Sequence, residues 1–537
     1  MWAQHYTPLA ESLALSALVA ALPVFVLLFL LGVKRKPAWI ASLSGLAAAI
    51  FVAVAAYRMP TTAMLSAVGF GAAFGLFPIG WVVFCAILLY RITVETGKFE
   101  IIKDSIGSLT PDRRLQGLLI AFAFGAFIEG AAGFGTPVAV AAAMLAGLGF
   151  SPFYAAGICL LANTAPVAFG SIGTPILTLH TVTGLPMNDL SAWVGRICAP
   201  VSLIVPAYLM VVMGGWAALR GVLLGAAVCG ISFAGVQFLA SNFIGPQLTD
   251  ILSSLAAIFS LVVLFLLWKP KDVFHFQGNA SMPAAARHHT GRELFMAWAP
   301  YGLLVIFVLL WGWMPVRAQL EFFNLRIDWP GLHNQVVRVP PVIPSEAPYA
   351  AQYTFAWLAA SGTACLFAAV ISALILRVTP RRFAAIFWKT TKQLLLPELT
   401  IAAVLALAFL MNYSGATATL GLAFAATGAM FPFFSSLLGW LGVFLTGSDT
   451  SANALFGNLQ VITAKSLNFD PVLMAASNSS GGVMGKMISL QSIAVAAAAT
   501  GMPPDEEAKL FRFTLKHSIL LASVIGLITA AYAYWAF

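Results

Sequence analysis

About a dozen stretches of roughly 20 apolar residues run through this chain, and they constrain the fold more than any motif does. They include 12–33, 38–57, 77–95, 192–214, 216–240, 246–268, 297–315, 353–377 and 513–536. Each is long enough to cross the hydrocarbon core of a bilayer as a helix. In lipid every backbone N–H and C=O must be paired within the protein, so only helices or a closed barrel can span. Strands alternating at period two are absent from the sequence, so helices are expected. Composition agrees: 61% of the 537 residues are apolar, 9% are charged and the mean hydropathy is +0.93, which leaves too little polar surface to cover a protein in water. The expected fold is an all-α polytopic membrane protein with roughly 12–14 membrane segments.

A net charge of +9 would suit a nucleic-acid partner, but its placement argues against one. Sixteen of the 28 Lys and Arg fall in four short loops: Lys34, Arg35 and Lys36; Lys98, Lys103, Arg113 and Arg114; Lys269, Lys271, Arg287 and Arg292; and Arg377, Arg381, Arg382, Lys389 and Lys392. Basic residues collect in cytoplasmic loops, so these four are expected inside and the amino terminus outside. Met1-Trp2-Ala3-Gln4-His5-Tyr6 has no basic n-region and does not read as a cleaved signal peptide, so the first span is expected to stay. Cys85, Cys159, Cys198, Cys229 and Cys365 lie in apolar stretches without metal-ligand spacing and read as small buried residues. His288-His289 falls in an Ala-, Pro- and Arg-rich stretch that reads as a flexible cytoplasmic linker, 269–296, joining transmembrane halves 1–268 and 297–537. The loop at about 316–352 carries Pro330, Pro340, Pro341, Pro344 and Pro348, and is expected to be an ordered extracytoplasmic connection without regular secondary structure.

Each half also carries a pair of Gly-, Ser- and Thr-rich breaks with ionisable residues inside them. The first half reads Phe127-Ile128-Glu129-Gly130-Ala131-Ala132-Gly133-Phe134-Gly135-Thr136-Pro137, then Asn163-Thr164-Ala165-Pro166 running on to Gly170-Ser171-Ile172-Gly173-Thr174-Pro175. The second reads Phe444-Leu445-Thr446-Gly447-Ser448-Asp449-Thr450-Ser451, then Asn478-Ser479-Ser480-Gly481 running on to Gly485-Lys486-Met487-Ile488-Ser489. Setting Gly130 on Gly447 brings Asn163 within two positions of Asn478, and superposing the asparagines aligns Gly170 with Gly485. Broken segments at matching places in two halves mark repeat-built secondary transporters. The Glu129 segment follows basic loop 98–114 and is entered from the cytoplasm. The Asp449 segment is entered from outside if a span starting near Leu394 crosses once, and the two repeats are then inverted. That inference turns on 394–430, which is long enough to cross twice and is interrupted at Asn412-Tyr413-Ser414-Gly415. Broken or re-entrant helices are expected at 129–137, 163–175, 446–451 and 478–486, converging inside the membrane.

Thr136-Pro137 and Thr174-Pro175 each place a capping hydroxyl before the residue favoured at a first helical position, and Ser448-Asp449-Thr450-Ser451 offers the same capping chemistry. A helix N-terminus presents unpaired N–H groups and about half a positive charge, so four converging half-helix ends would bind a small carboxylate. Close packing between membrane helices also uses Gly, Ser and Thr, but packing does not explain the repeated Thr-Pro restarts. The expected substrate ligands are Gly130, Gly133, Gly135, Thr136, Asn163, Thr164, Ser171, Thr174, Ser448, Thr450, Ser451, Asn453, Asn478, Ser479 and Ser480, with Lys486 and Arg196 as cations. An ionisable group at a membrane-helix centre costs about 2.5–3.5 kcal/mol on insertion scales, so each needs a partner or a function. Glu129 is the first choice as proton carrier, against a structural hydrogen-bond acceptor. Asp449 reads equally as a proton or cation ligand and as a helix cap. Lys486 faces either the substrate or one of those carboxylates. Arg196 reads as an anion ligand or as a span-end residue snorkelling to the interface. Glu398, Arg91 and Glu95 read as span-end charges.

No cofactor fingerprint appears, and the Gly130–Gly135 run follows no strand, so neither an enzyme nor a dinucleotide site is expected. The stretches 125–137, 445–458 and 478–491 resemble the signature stretches of the bacterial lactate permease family, and the resemblance extends along nearly the whole chain. It implies a proton-coupled symporter for L-lactate, often D-lactate and glycolate too, in the cytoplasmic membrane. It further implies kinship with ion-transporter folds built from inverted repeats with re-entrant hairpins. Partners would be the monocarboxylate and the lipid bilayer, with no nucleic acid and no cofactor beyond protons; a homo-oligomer is left open. Energetics agree, since importing an anion against an inside-negative potential costs about 2.3 kcal/mol per 100 mV and one proton removes that cost. The scarcity of buried cations favours a monocarboxylate over di- or tricarboxylates. Asn163, Thr164, Asn478 or Ser479 would meet the 2-hydroxyl, and since a methyl group is worth only about 1–3 kcal/mol, glycolate stays in range. Two other readings remain: a sodium-coupled carboxylate transporter with Asp449, Asn453 and break carbonyls as an oxygen cage, and a proton-translocating subunit of a membrane enzyme, which would want a longer file of buried Lys, His and Glu.

Overall fold

The computed structural model describes all residues except 108, 134, 271, 273, 275–288, 504, 505, 536 and 537. Its helices in the first half are α1 (Leu13–Gly32), α2 (Ala38–Ala55), α3 (Thr61–Phe74), α4 (Trp81–Glu95), α5 (Lys98–Gly107), α6 (Arg113–Gln116), α7 (Gly125–Ala131), α8 (Thr136–Gly147), α9 (Pro152–Ala162), α10 (Gly170–Thr183), α11 (Met187–Phe243) and α12 (Thr249–Leu267). The second half adds α13 (Gly291–Gly312), α14 (Met314–Glu321), α15 (Ser361–Ile375), α16 (Pro380–Ser414), α17 (Ala416–Phe424), α18 (Phe431–Thr446), α19 (Asp449–Ser466), α20 (Pro471–Lys486), α21 (Leu490–Thr500) and α22 (Glu507–Trp535). Wider π-helical turns at Gly75–Gly80 and Gly117–Phe124 link α3 to α4 and α6 to α7.

Among the described residues, eleven helical runs are long and apolar enough to cross a membrane, or twelve if the bent pair Pro152–Ala162 and Val167–Thr183 forms one span. The chain is thus a multi-pass membrane protein. The count meets the lower end of the sequence expectation because α11 joins two expected spans into one 57-residue run, broken at Gly214-Gly215. Much of the expected linker, including His288, lies outside the described residues. α13 begins inside the expected boundary, where Thr290 and Glu293 form a reciprocal capping box.

Two hairpins and two broken helices form the centre. Helical residues 113–131 turn at Ala132-Gly133 into α8, and a Cβ on Gly149 would sit 3.1 Å from Arg113 Nη2, so the open ends of this hairpin meet beside the basic 98–114 stretch. α18 turns at Gly447-Ser448 into α19, and near the open end of that hairpin Ile462 packs with Tyr6, Val339 and Val342. The hairpins therefore enter from opposite faces. α9 meets the following helical stretch at 64°, and α20 breaks at 487–489 before α21. α8 packs on α21, and α19 packs on α10.

Segment 394–430 crosses once. α16 runs unbroken to Ser414, so Asn412-Tyr413-Ser414-Gly415 is its end and not a mid-span break. Gln4 Nε2 donates to the carbonyls of Asn412 and Tyr413 at 2.9 and 2.8 Å, and Tyr413 stacks on Tyr349 at 4.2 Å, placing this end beside the amino terminus and the 316–352 connection.

That connection corrects the sequence reading, because it is not devoid of regular structure. β1 (Trp2–Ala3) pairs with β3 (Val336–Arg338), which pairs with β4 (Ala347–Pro348), while β2 (Leu325–Asp328) pairs with β5 (Gln352–Phe355). Proline removes one donor but leaves short runs between prolines free to pair; Pro348 sits in edge strand β4.

Candidate functional site

The turns of both hairpins and both broken helices border one cavity of ≈ 410 Å³. Glu129, Thr136, Ser171, Ser448, Asp449, Thr450, Ser451 and Lys486 line it, with Gly170, Thr446, Gly447 and Gln491. Much of its remaining wall, including Ala38, Trp39, Gln393, Leu394 and Pro397, comes from α2 and α16, next to the basic stretches 34–36 and 377–392.

Four helices begin at this cavity. α8 starts at Thr136, with Pro137 in its first turn. α10 becomes regular only after Ser171, Ile172 and Gly173, whose φ of 45°, 59° and 73° are left-handed, so the helix in effect restarts at Thr174-Pro175. Such geometry costs a non-glycine residue about 1–2 kcal/mol. It is held by burial of Ile172 and by Ser171 Oγ donating to Ala132 O at 2.8 Å, a bond that ties the broken helix to the first hairpin turn. α19 starts after Ser448, whose Oγ accepts from Ser451 N at 3.2 Å, and α21 starts after Ser489 with Gln491 at the cavity. Serine side chains take one first-turn N–H of α19 and one of α21, while α8 and α10 start without a side-chain cap, so the four N-termini together give a concave, positively polarised site suited to an anion.

The local details amend the sequence reading. The helices restart at Thr136-Pro137 and Thr174-Pro175, but neither threonine caps. Gly135 occupies the α8 N-cap, and Thr174 Oγ1 donates back to Ser171 O at 2.6 Å. The fourth break lies at 487–489 and not at 478–486, because α20 is continuously helical through Asn478, Ser479 and Ser480. Asp449 is not the cap of α19; Ser448 is.

Asp449 accepts from Ser479 Oγ at 2.5 Å and from Asn453 Nδ2 at 3.4 Å, while its Oδ1 has no protein partner. Asn453 Nδ2 also reaches Pro175 O at 3.1 Å, binding the second hairpin to the α10 restart. Asn478 donates to Asn453 Oδ1 at 2.9 Å and accepts from Gln460 at 3.1 Å, so it braces Asp449 from behind the cavity. Lys486 Nζ donates to Gly447 O at 2.6 Å, satisfying a carbonyl at the end of α18, and among the described residues no carboxylate lies within 4 Å of it. Gly447 itself has φ 72°, a left-handed turn that joins one helix end to the next helix start.

Glu129 ends the first hairpin's rising helix, 4% exposed, with Oε2 unpartnered. Lys486 and Asn163 face it. Gly170 makes room for its carboxyl: a Cβ there would sit 2.6 Å from Glu129 Oε1.

Not every expected ligand arrives. Arg196 is absent from the cavity; its Nε donates to Asn242 Oδ1 at 2.9 Å and its guanidinium covers Trp193. Gly130 packs on Asp250 and Ile251, Gly133 on Ser171, and Thr164 Oγ1 bonds Leu161 O. Ser480 Oγ bonds Ala476 O one turn back. Glu398 is no span-end charge: it lies within α16 against Gly80. Arg91 does sit at a helix end, donating to Gln393, as does Glu95 beside Lys389. The sequence reading missed Gln491 and Gln393, which line the cavity and carried no local signal. Among the described residues no group of three or more His, Cys, Asp or Glu could hold a metal ion.

Residues 16–536 match the model of the L-lactate permease family. The chain is 47% identical to the L-lactate permease of Bacillus subtilis, over 98% of each chain. It is 46% identical to the glycolate permease GlcA of Escherichia coli, over 99% of this chain and 98% of that one. Among solved structures, the YdaH transporter of Alcanivorax borkumensis aligns at a TM-score of 0.45 and 14% identity, covering 89% of this chain and 88% of that one, too distant to carry an argument. With the family model matched along almost its entire length and curated permeases this similar from end to end, the chain belongs to the L-lactate permease family.

Proposed function

We propose that this protein imports L-lactate, and with it D-lactate and glycolate, together with protons across the bacterial cytoplasmic membrane. The substrate carboxylate sits among the four helix N-termini beside Lys486, and Glu129 carries the coupling proton. The observation that carries this reading is one cavity bordered by four helix starts, with two buried acids and a lysine that has no carboxylate within 4 Å among the described residues. Such a site neutralises one negative charge with little room for a second. The names of the relatives, L-lactate and glycolate permeases, support the substrate class. Halves 1–268 and 297–537 act as inverted repeats, a reading supported by hairpins that enter from opposite faces. Asp449, braced by Ser479 and Asn453, holds the second hairpin closed over bound substrate.

The test is uptake and counterflow in proteoliposomes with lactate, glycolate, pyruvate and succinate. An inside-alkaline pH gradient should drive uphill lactate uptake with choline in place of sodium, and succinate should not compete. Glu129→Gln should abolish uphill uptake while lactate exchange continues, because exchange needs no net protonation cycle. Uptake that requires sodium would reassign the coupling ion and move attention to Asp449.

A further inference from the structure

Asp250 is an acid with no role in the site described above. It lies in the first turn of α12, 1% exposed, and neither carboxyl oxygen has a protein hydrogen-bond partner. An aspartate at a helix start ordinarily accepts from the first-turn N–H groups; this one caps nothing. It packs against the Glu129 turn, since a Cβ on Gly130 would stand 2.8 Å from Asp250 Cβ and 3.1 Å from Ile251 N. The ionisable groups within electrostatic reach are Glu129 on α7 and Cys198 on α11. The 117–124 segment, which also packs on α12, carries none, and α10 carries only His180.

The surroundings of Asp250 have a direction. Two residues before it, Leu248 and then Gln247 line a second cavity of ≈ 950 Å³, together with His180, Trp313 and Arg317. That cavity reaches Thr354 of β5 and so opens on the face of the 316–352 connection, opposite the basic loops that border the Glu129 cavity. Asp250 thus stands between the outer cavity and Glu129, behind the turn that bounds the substrate site. Beside Glu129, whose Oε2 is unpartnered, stands the buried amide of Asn163. Two acids this deep and this close are costly to ionise together.

We propose that Asp250 is a second proton-carrying residue, which loads Glu129 from the outer cavity by a route separate from the substrate's. Protonated Asp250 gives its proton to the Glu129 carboxylate, leaving Asp250 as carboxylate and Glu129 as acid. Water of the outer cavity then returns a proton to Asp250. Glu129 releases its proton to the inner cavity once lactate has left. This rests on the proton-coupled reading of the site.

The experiment measures pH-gradient-driven uptake and lactate counterflow for wild type, Asp250→Asn and Asp250→Glu, each reconstituted at full length. A wild type insensitive to the pH gradient would overturn the proton-coupled reading itself, whatever the variants do. With that arm sound, Asp250→Asn should lower the initial rate of uphill uptake by at least about tenfold while counterflow stays within about twofold of wild type. Asp250→Glu should restore uphill uptake, since it keeps a proton-carrying group. Equal loss of uptake and counterflow in Asp250→Asn, or uphill uptake at the wild-type rate, would overturn the proposal. If Asp250→Asn does not fold, Asp250→Glu alone decides. A folded glutamate variant with counterflow but without uphill uptake would show that the site demands a shape and not a proton.

Discussion

Lys486 shows how one side chain sets substrate class. Among the described residues its buried ammonium has a single acceptor, the Gly447 carbonyl at 2.6 Å, which leaves two of its three donors for the cavity. Glu129 and Asp449 act on it electrostatically, but among the described residues neither carboxylate lies within 4 Å, and the substrate carboxylate is the partner we propose. Lys486→Met should therefore weaken lactate binding by about 2–5 kcal/mol, as for removing one member of a desolvated charge pair. Equilibrium binding by calorimetry checks this, and adding Asp449→Asn should not recover the loss. Ser448 separates two roles that coincide at a helix start. Ser448→Ala removes the cap of α19 and should cost about 1 kcal/mol of stability, whereas Ser448→Asp keeps a cap and should restore the melting temperature. The aspartate would nevertheless repel an anion at the cavity wall, so lactate affinity should fall further in the aspartate variant than in the alanine one. Equal affinities in the two would argue that no carboxylate sits at the α19 start.

At the scale of elements, α18 and α20 bring their backbones together through glycine. A Cβ on Gly439 would sit 2.6 Å from the Asn478 carbonyl carbon, and one on Gly481 would sit 2.5 Å from that of Ser436. Backbone atoms cannot rotate away as a side-chain tip can, so a larger residue must push the helices apart. This contact sets the height of Lys486 and Ser479 relative to Gly447 and Asp449, because α20 carries one pair and the α18–α19 hairpin the other. Gly481→Leu should lower stability by more than about 1–3 kcal/mol, the usual cost of overpacking, and abolish transport even where protein reaches the membrane. Thermal unfolding in detergent, with and without lactate, measures it. Gly302 of α13 has no heavy atom within 4 Å of a built Cβ and should tolerate alanine as a control.

For the whole molecule, the cavity borders on α2 and α16 beside basic loops, which places its mouth on the cytoplasmic side by the charge rule. The five native cysteines are all buried, so an introduced thiol would be read against a low background. Gln393→Cys, at the rim, should react with a membrane-impermeant maleimide in inside-out vesicles and not in intact cells without lactate. Labelling from the outside alone would reverse the assigned orientation. The fold joins its halves extensively, with α2 and α3 packed on α16 and α1 on α17, so motion of one hairpin relative to the other has to occur within a shared frame.

The membrane class, the helical architecture, three of the four breaks and the acids Glu129 and Asp449 within them were legible in the chain itself, because bilayer thickness and backbone pairing leave few alternatives for apolar stretches of that length. Glu129, Asp449 and Lys486 stood out for the same reason: charge in such a background has to be accounted for. Which polar residues meet was settled only by tertiary packing. Asn453 and Asn478 are as polar in sequence as Ser448, yet they face a neighbouring helix and brace Asp449 from behind the cavity. The shift of the fourth helix start to Ser489, the loss of Arg196 to Asn242 and the approach of Asp250 to Gly130 all depend on helix rotation and height. Neighbouring helices impose those through side-chain shape, over separations along the chain that no local pattern records.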